Sequence, residues 1–171
     1  GSKQGEKFGY SVSINDDGNR IVIGAPYYDK KFFFTYEGAV RVYEYDTTNG
    51  WEKLGSDIIG TSMADNFGYS VSMNSSGTVI VIGAPQNNTS IGYTEAYEFN
   101  STSSSWEQLY NTINGDKAGE RSGYSVAVNN DGSKIAFGSP NYFDRTTDKS
   151  GKVNVYDYKN NSDKKVSFND I

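Results

Sequence analysis

The sequence predicts an all-β protein made of three repeats of a four-stranded antiparallel unit, and three observations support this. The 171 residues include 19 Gly, 14 Tyr, 9 Phe and 2 Trp, but only 35 % are hydrophobic, which is typical of turn-rich β proteins rather than helical ones. Short segments alternate apolar and polar residues with the period of a half-buried strand. One long motif occurs three times at nearly equal spacing.

The first strand of each repeat is predicted by alternation. In the first copy Tyr10, Val12 and Ile14 point one way, and the serines between them point the other way. A tight hairpin is expected next, at Asn15–Gly18, because Asn, Asp and Gly tolerate positive φ. The second strand, Ile21–Ala25, is apolar on both faces and is therefore expected in the sheet interior, ending at a proline that cannot donate to the ladder.

The third and fourth strands follow a loop of variable length. Val40–Tyr45 alternates again, and Trp51–Ile58 mixes apolar with charged residues, as an exposed outer strand would. Four antiparallel strands that grade from buried to exposed and recur in series are typical of β-propeller blades. A β-sandwich is the alternative, but the fixed spacing in three copies favours blades.

The repeat itself consists of two blocks with fixed internal spacing. The first block is FGYSVSINDDGNRIVIGAP at 8–26, FGYSVSMNSSGTVIVIGAP at 67–85 and SGYSVAVNNDGSKIAFGSP at 122–140. The second block is GAVRVYEY at 38–45, GYTEAYEF at 92–99 and GKVNVYDY at 151–158. We therefore expect three blade-like repeats, 1–58, 59–113 and 114–171, with Gly1-Ser2 as a cloning remnant.

Composition excludes several classes of function. The chain has no Cys and no His, which removes thiol nucleophiles, disulfides, zinc sites with Cys or His ligands and His general bases. Its net charge of −5 argues against a nucleic-acid or anionic-membrane partner, since both require a basic face. No apolar run is long enough for membrane insertion.

The Phe-Gly and Gly-Ala-Pro elements resemble the FG-GAP repeat, the blade unit of the integrin α-subunit propeller, and are most similar to a divergent microbial and algal type. This resemblance covers nearly the whole chain and implies a propeller fold with adhesion or recognition as its function. Integrin-type blades often bind calcium in a D-x-D-x-D-G loop between these elements. Here that connection is the short turn Asn15–Gly18, and Asn74–Gly77 carries no carboxylate. Because calcium needs about six to eight oxygens, we expect no metal or other cofactor.

Ligand contact is predicted on one side of the blades, called face A. Strand parity places there the variable loops 26–38, 85–92 and 140–151 and the connectors 59–67 and 114–122. Aromatic rings beside Asp suit stacking on sugars or anchoring a protein. The predicted ligand-binding residues are Tyr27, Tyr28, Asp29, Phe33, Tyr36, Tyr142, Phe143 and Asp144. The alternative is that these rings cover a neighbouring blade or pair with another chain.

Three carboxylates recur just before the Phe-Gly element, at Glu6, Asp65 and Glu120. Converging carboxylates can form an acid/base pair or a cation site. One carboxylate in every repeat is more typical of a group that binds the connector backbone, so we do not expect an enzyme.

Three blades are too few to close a propeller, which needs about four to eight. We expect open edges near the apolar second strands, covered by self-association into a six-bladed assembly, by further blades of a longer chain, or by an open array. The predicted function is a non-enzymatic adhesion or recognition module of an extracellular, cell or virion surface, with a glycan or protein partner. The alternatives are an architectural, self-assembling element of a filament, sheath or virion, and a fragment of a polysaccharide-active enzyme.

Overall fold

The computed structural model describes residues 4–29, 36–86, 90–145, 148–149, 151–157 and 166–169, in which every regular element is a β-strand. The first sheet contains β1 (Ser11–Ile14), β2 (Arg20–Ala25), β3 (Ala39–Asp46), β4 (Gly50–Lys53) and β5 (Ile58–Ile59). The second contains β6 (Ser70–Met73), β7 (Val79–Ala84), β8 (Tyr93–Asn100), β9 (Ser105–Gln108) and β10 (Ile113–Asn114). The third contains β11 (Ser125–Val128), β12 (Lys134–Ser139), β15 (Lys152–Asp157) and β16 (Val166–Asn169). A separate hairpin joins β13 (Phe143–Arg145) to β14 (Asp148–Lys149).

The strands of each sheet pair antiparallel with their sequence neighbours, as four-stranded blades require. In the first sheet Val12 lies opposite Ile23, and Val22 lies opposite Val42. The second and third sheets repeat this register through β6–β7–β8 and β11–β12–β15. The prediction of an all-β fold with propeller-like blades is confirmed. The described part of the chain contains no helix with the length and apolarity of a membrane span.

The outer strand differs from the prediction, because it is divided rather than continuous from Trp51 to Ile58. One segment pairs through Tyr45 and Trp51 at one end of β3, and the other pairs through Val40 and Ile58 at the opposite end. Between these segments the backbone N–H of Leu54 donates to the Val42 carbonyl at 2.8 Å, and the Asp57 carboxylate accepts from Arg41 of β3.

The predicted hairpin between the first two strands is present in every repeat. In the first repeat the backbone N–H of Gly18 donates to the Asn15 carbonyl at 3.0 Å, and Gly18 has φ +69°. The side-chain oxygen of Asn15 accepts from the backbone N–H of Arg20 at 2.8 Å. Asn74 and Asn129 make the corresponding side-chain bonds in the other repeats. The asparagine therefore closes the turn as an Asx-type acceptor.

The hydrophobic core lies between neighbouring sheets, which pack face to face. Buried side chains of the first sheet pack against buried side chains of the second repeat. The first set is Val22, Val40 and Val42, and the second set is Phe67, Met73, Ile80 and Ile82. A second layer joins Val81 and Ala96 to Ile135 of the third sheet. The sheets are stacked as blades rather than as the two halves of a sandwich.

Repeated glycines and serines permit this close stacking. A Cβ built on Gly24 would lie 2.0 Å from the carbonyl oxygen of Gly68, and one on Gly83 would lie 2.0 Å from that of Gly123. The hydroxyl of the serine paired with each glycine donates to the same carbonyl at 2.8 Å. The Gly of Gly-Ala-Pro and the Gly of the next Phe-Gly are therefore contact points between blades.

Candidate functional site

The described parts of the variable loops and the connectors lie on one side of the sheets, which is the side called face A. The backbone N–H of Tyr27 donates to the carbonyl of Glu6 at 3.2 Å, and that of Asn141 donates to the carbonyl of Glu120 at 3.2 Å. Gly38 and Phe67 form a parallel bridge between the first variable loop and the following connector. Each connector is thus tied by backbone hydrogen bonds to a neighbouring loop.

A buried arginine organises the first repeat on this side. Arg41 binds both carboxylate oxygens of Glu6 at 3.1–3.2 Å and one of Asp57 at 2.7 Å. Its guanidinium carbon lies 5.4 Å from the ring centroids of both Phe8 and Tyr28. The side chains of Arg41, Glu6 and Tyr28 are buried, so a cation–π contact holds the predicted ligand residue Tyr28 against the scaffold.

The charges of this cluster shift its pKa values. Burial disfavours ionised Asp57, but hydrogen bonds from Lys53 and Arg41 outweigh it and hold the pKa of Asp57 below its ordinary value. Burial likewise disfavours charged Arg41, and the bonds to Glu6 and Asp57 raise its pKa instead. Arg41, Glu6 and Asp57 therefore form a structural ion-pair network.

The second repeat replaces this network with tyrosine–carboxylate hydrogen bonds. Tyr93 donates its hydroxyl to Asp65 at 2.8 Å, and Tyr97 donates to Glu95 at 2.7 Å. Burial, followed by the adjacent carboxylate charges, raises the pKa of both tyrosines. Burial also raises the pKa of Asp65, which the hydrogen bonds from Tyr93 and the backbone N–H of Ser62 oppose. One oxygen of Asp65, Oδ1, is buried without a hydrogen-bond partner.

The third repeat holds its aromatic loop with lysines. The ammonium groups of Lys152 and Lys117 lie 4.6 and 4.8 Å from the centroid of the buried Tyr142 ring. Lys117 also donates to the backbone carbonyl of Phe143 at 2.7 Å, and Lys152 forms an ion pair with Asp116. Tyr142 is therefore packed against cations in the same manner as Tyr28.

The remaining predicted ligand residues are more accessible. Tyr27 and Tyr36 are half-buried, with centroids 5.7 Å apart in an edge-to-face arrangement, and the Lys7 ammonium lies 4.0 Å from the Tyr27 centroid. Asp29 is half-buried next to them in sequence. Phe143 is half-buried as well. Phe33 and the side chain of Asp144 lie outside the described residues. A ligand role for this set stays a prediction.

The recurring carboxylates bind within the protein. Asp65 accepts from the backbone N–H of Ser62 at 2.8 Å, and Glu120 accepts from that of Lys117 at 3.0 Å. These are the connector contacts that the sequence favours for both residues. Glu6 pairs with Arg41. Each of the three carboxylates therefore has a structural role.

The calcium loop implied by the family resemblance does not fit the turns of this chain. The Asn15 side-chain oxygen already accepts from Arg20, and the turn is closed by the bond from Gly18 to the Asn15 carbonyl. Among the described residues, no three acidic side chains are grouped to hold a metal ion. The turns therefore act as hairpin closures.

A ladder of tyrosines crosses the first strands of all three repeats and is missed by the sequence reasoning. The ring centroids of Tyr10 and Tyr69 lie 5.0 Å apart, and those of Tyr69 and Tyr124 lie 5.1 Å apart. Hydrogen bonds with the two flanking hydroxyls raise the pKa of Tyr69. The signal was present, since a tyrosine follows the glycine of the Phe-Gly element or of its counterpart in every repeat, at Gly9, Gly68 and Gly123. The backbone N–H of Tyr10 donates to the Lys7 carbonyl at 3.1 Å, so the ladder begins at the turn that carries Lys7.

Buried charges on the third strand are also missed by the sequence reasoning. Arg41 and Glu95 occupy equivalent positions in the first and second repeats, and Lys152 lies at the start of β15 in the third. Their signal is a charged residue within a block that otherwise alternates as a strand, at a position that changes chemistry from copy to copy. The polar contacts made by the buried charges of the third strand therefore differ from copy to copy.

Comparison with known families bears on the first repeat. Residues 2–43 match the family model described as the FG-GAP repeat. The matched segment contains the Phe-Gly and Gly-Ala-Pro elements, strands β1 and β2, and part of β3. No curated protein matches the chain. The prediction from the motifs is confirmed, and the second and third repeats share the same elements and the same strand register.

Proposed function

We propose that this chain, whose first repeat is an FG-GAP repeat, is a non-enzymatic recognition module of an extracellular, cell or virion surface. It binds a glycan or a protein through face A. FG-GAP repeats form β-propeller blades that serve in recognition and adhesion, which supports the general class. The contacts of this chain support face A as the binding surface.

The observation that carries the proposal is the aromatic pair of Tyr27 and Tyr36 beside Lys7. The two rings hold each other edge to face, and both keep part of their surface accessible. A tyrosine ring offers an apolar face for a sugar or a partner side chain and a hydroxyl for a hydrogen bond. The exposed Lys7 adds a cation at the same place. Because the blades are held by backbone contacts, this surface is presented on a rigid scaffold.

The burial of two predicted ligand residues narrows the site. Tyr28 and Tyr142 pack against Arg41 and Lys152, so their rings serve to anchor the loops. The accessible rings of Tyr27 and Tyr36 are left as the ligand contact in the first repeat.

The non-enzymatic assignment rests on the use of the carboxylates. Glu6 pairs with Arg41, Asp65 binds a backbone N–H and a tyrosine, and Glu120 binds a backbone N–H. A general acid or base needs a carboxylate within reach of substrate, and these groups face the connectors. If the chain were part of a polysaccharide-active enzyme, Asp65→Asn with Glu120→Gln would abolish turnover of a polysaccharide.

A glycan array tests the proposal, with the parent chain compared against Tyr27→Ala and Tyr36→Ala. Each ring is expected to contribute about tenfold in affinity, as a stacking contact of about 1.4 kcal/mol would. Tyr124→Ala is the matched control, because Tyr124 is 40 % exposed but lies in the third repeat, away from Tyr27 and Tyr36 in the sequence. Equal binding by all variants would place the ligand elsewhere. Loss of assembly without any ligand would favour the architectural alternative.

A further inference from the structure

The first sheet leaves one of its faces open. This front face consists of Phe8, Tyr10, Val12, Ile14, Ile21, Ile23, Tyr45 and Trp51. Val12 is 59 % exposed and Ile14 is 54 % exposed, whereas Met73, which corresponds to Ile14 in the second sheet, is 7 % exposed. A cleft of about 400 Å³ lies on this face between the ring of Trp51 and neighbouring side chains. Contiguous apolar exposure of this kind marks an interaction surface.

The third sheet exposes its back face, which is the side opposite to the front face. This back face consists, among the described residues, of Ala136, Val153 and Val155. Val153 is 45 % exposed, although Val40 and Thr94 at the corresponding positions of the first two sheets are fully buried. The front face of one sheet covers the back face of the preceding sheet at both internal interfaces. The two open faces are therefore the two complementary halves of the same interface.

The same polar contact occurs at both internal interfaces, at equivalent positions of the repeat. It predicts which groups of the two open faces would bind each other. Ser11 donates to the carbonyl of Gly68, and Ser70 donates to that of Gly123, both at 2.8 Å. The next step of the series would join Ser125 to the carbonyl of Gly9. Ser125 and Gly9 are both exposed in the single chain, and they lie on the back and front faces respectively.

The hairpin turns repeat a second contact. The backbone N–H of Asp16 donates to the carbonyl of Ser75 at 3.1 Å, and that of Ser75 donates to the carbonyl of Asn130 at 3.2 Å. The next contact of this series would join the backbone N–H of Asn130 to the backbone carbonyl of Asp16 in another copy. Two independent polar contacts and one apolar contact thus specify the same head-to-tail stacking.

We propose that the chain stacks head to tail on a second copy of itself, with the front face of the first sheet against the back face of the third. The contact is heterologous, so it closes into a ring when the rotation between copies allows and otherwise grows into a linear stack. Two copies joined at both contacts make six blades. The open surfaces are sheet faces, not the strand edges that the sequence suggested. The inference does not depend on the ligand proposed above.

Two variants each block one half of this interface. The front variant, Val12→Lys with Ile14→Lys, places charges on two side chains that are already exposed, so the fold of the single chain is kept. The back variant, Gly138→Ala, adds a Cβ that meets only the Ser125 hydroxyl within the chain. At the equivalent glycines a Cβ would lie 2.0 Å from a carbonyl of the neighbouring sheet. Met63→Lys is the control, because Met63 is 58 % exposed on a connector.

Size-exclusion chromatography with light scattering at micromolar concentration measures the outcome. We expect the parent and Met63→Lys to exceed the 18.8 kDa of one chain, and each blocked variant to be a monomer. Mixing the two blocked variants should restore a 1:1 dimer, because one intact front meets one intact back. Circular dichroism and a denaturation midpoint check that each variant is folded. If the lysine pair lowers the midpoint, Trp51→Ala replaces it as the front variant.

Three results would overturn the proposal. A parent chain that stays at 18.8 kDa would mean that the open faces do not bind each other. Assembly of the back variant alone, with a monomeric front variant, would indicate front-to-front pairing instead. A mixture that remains monomeric would exclude the head-to-tail contact. None of these results depends on glycan binding, so the two proposals fail separately.

Discussion

The close approach of two backbones at Gly83 makes a specific prediction for Gly83→Ala. A Cβ at this position would lie 2.0 Å from the carbonyl oxygen of Gly123, and ordinary van der Waals contact begins at 3.4 Å. The second and third sheets must therefore separate locally by about 1.4 Å, because the obstacle is backbone and cannot rotate away. The same movement stretches the bond from the Ser70 hydroxyl to that carbonyl.

The expected loss of stability follows from three contributions. Overpacking of a well-packed interior costs about 1 to 3 kcal/mol. The strained hydrogen bond from Ser70 adds about 1 kcal/mol. Replacing glycine by alanine in a strand returns about 0.5 to 1 kcal/mol through the unfolded chain. The net prediction for Gly83→Ala is a decrease of about 1 to 3.5 kcal/mol in the free energy of unfolding.

Gly138→Ala is the matched control, because it is the same substitution at the equivalent strand position. There the Cβ would meet only the Ser125 hydroxyl at 2.6 Å, which is the end of a rotatable side chain. We expect a change within about 0.5 kcal/mol, or a small gain. Urea denaturation followed by tryptophan fluorescence, at concentrations where the chain is monomeric, measures both variants. Equal effects of the two substitutions would refute the role assigned to the Gly123 carbonyl.

Three further predictions test the polar contacts by the same denaturation assay. Asn74→Ala should lower the free energy of unfolding by about 1 to 3 kcal/mol, since the buried N–H of Val79 loses its acceptor. Asn129→Ala, at an exposed turn, should lower the free energy of unfolding less. Equal decreases for the two variants would contradict this. Arg41→Met should cost about 3 to 5 kcal/mol by stranding the buried carboxylate of Glu6, and adding Glu6→Gln should recover part of that loss. Burial raises the pKa of Asp65, so ionisation of this carboxylate lowers stability as pH rises from about 4 towards neutrality. The free energy of unfolding of Asp65→Asn, relative to that of the parent, should therefore be higher at pH 7 than at pH 4. An equal difference in free energy at the two pH values would argue against the raised pKa.

The sequence predicted the strand order and the hairpins because both depend on local patterns. Alternation placed β1, and an apolar run placed β2 in the sheet interior, where the register confirms it. The turn at Asn15–Gly18 was predicted from residues that tolerate positive φ, and Gly18 adopts it. The outer strand was predicted less well, since it is divided, and between its two segments Asp57 accepts a hydrogen bond from Arg41. That contact joins residues brought together only by the folded sheet.

The candidate site was predicted in its location but not in its internal contacts. Successive antiparallel strands alternate in direction, so the order of the strands along the chain was enough to predict that the variable loops lie on face A. Whether a given ring is exposed depends on which charge lies beneath it. Arg41 holds Tyr28 and Lys152 holds Tyr142, and these pairs are separated in sequence by a loop of variable length. No local pattern could have distinguished Tyr28 from its neighbour Tyr27.

By itself the sequence determined the repeat, its family resemblance and the all-β class, because spacing and periodicity are written in the order of residues. The tertiary structure alone decided how the blades touch. The glycines of Phe-Gly and Gly-Ala-Pro are read from sequence as turn or strand-end residues, yet Gly68 and Gly24 meet across two sheets. Only the stacking of the sheets reveals which faces are covered and which two remain open. The physical reason is that close packing joins residues far apart in the chain, whereas local patterns report only on neighbours.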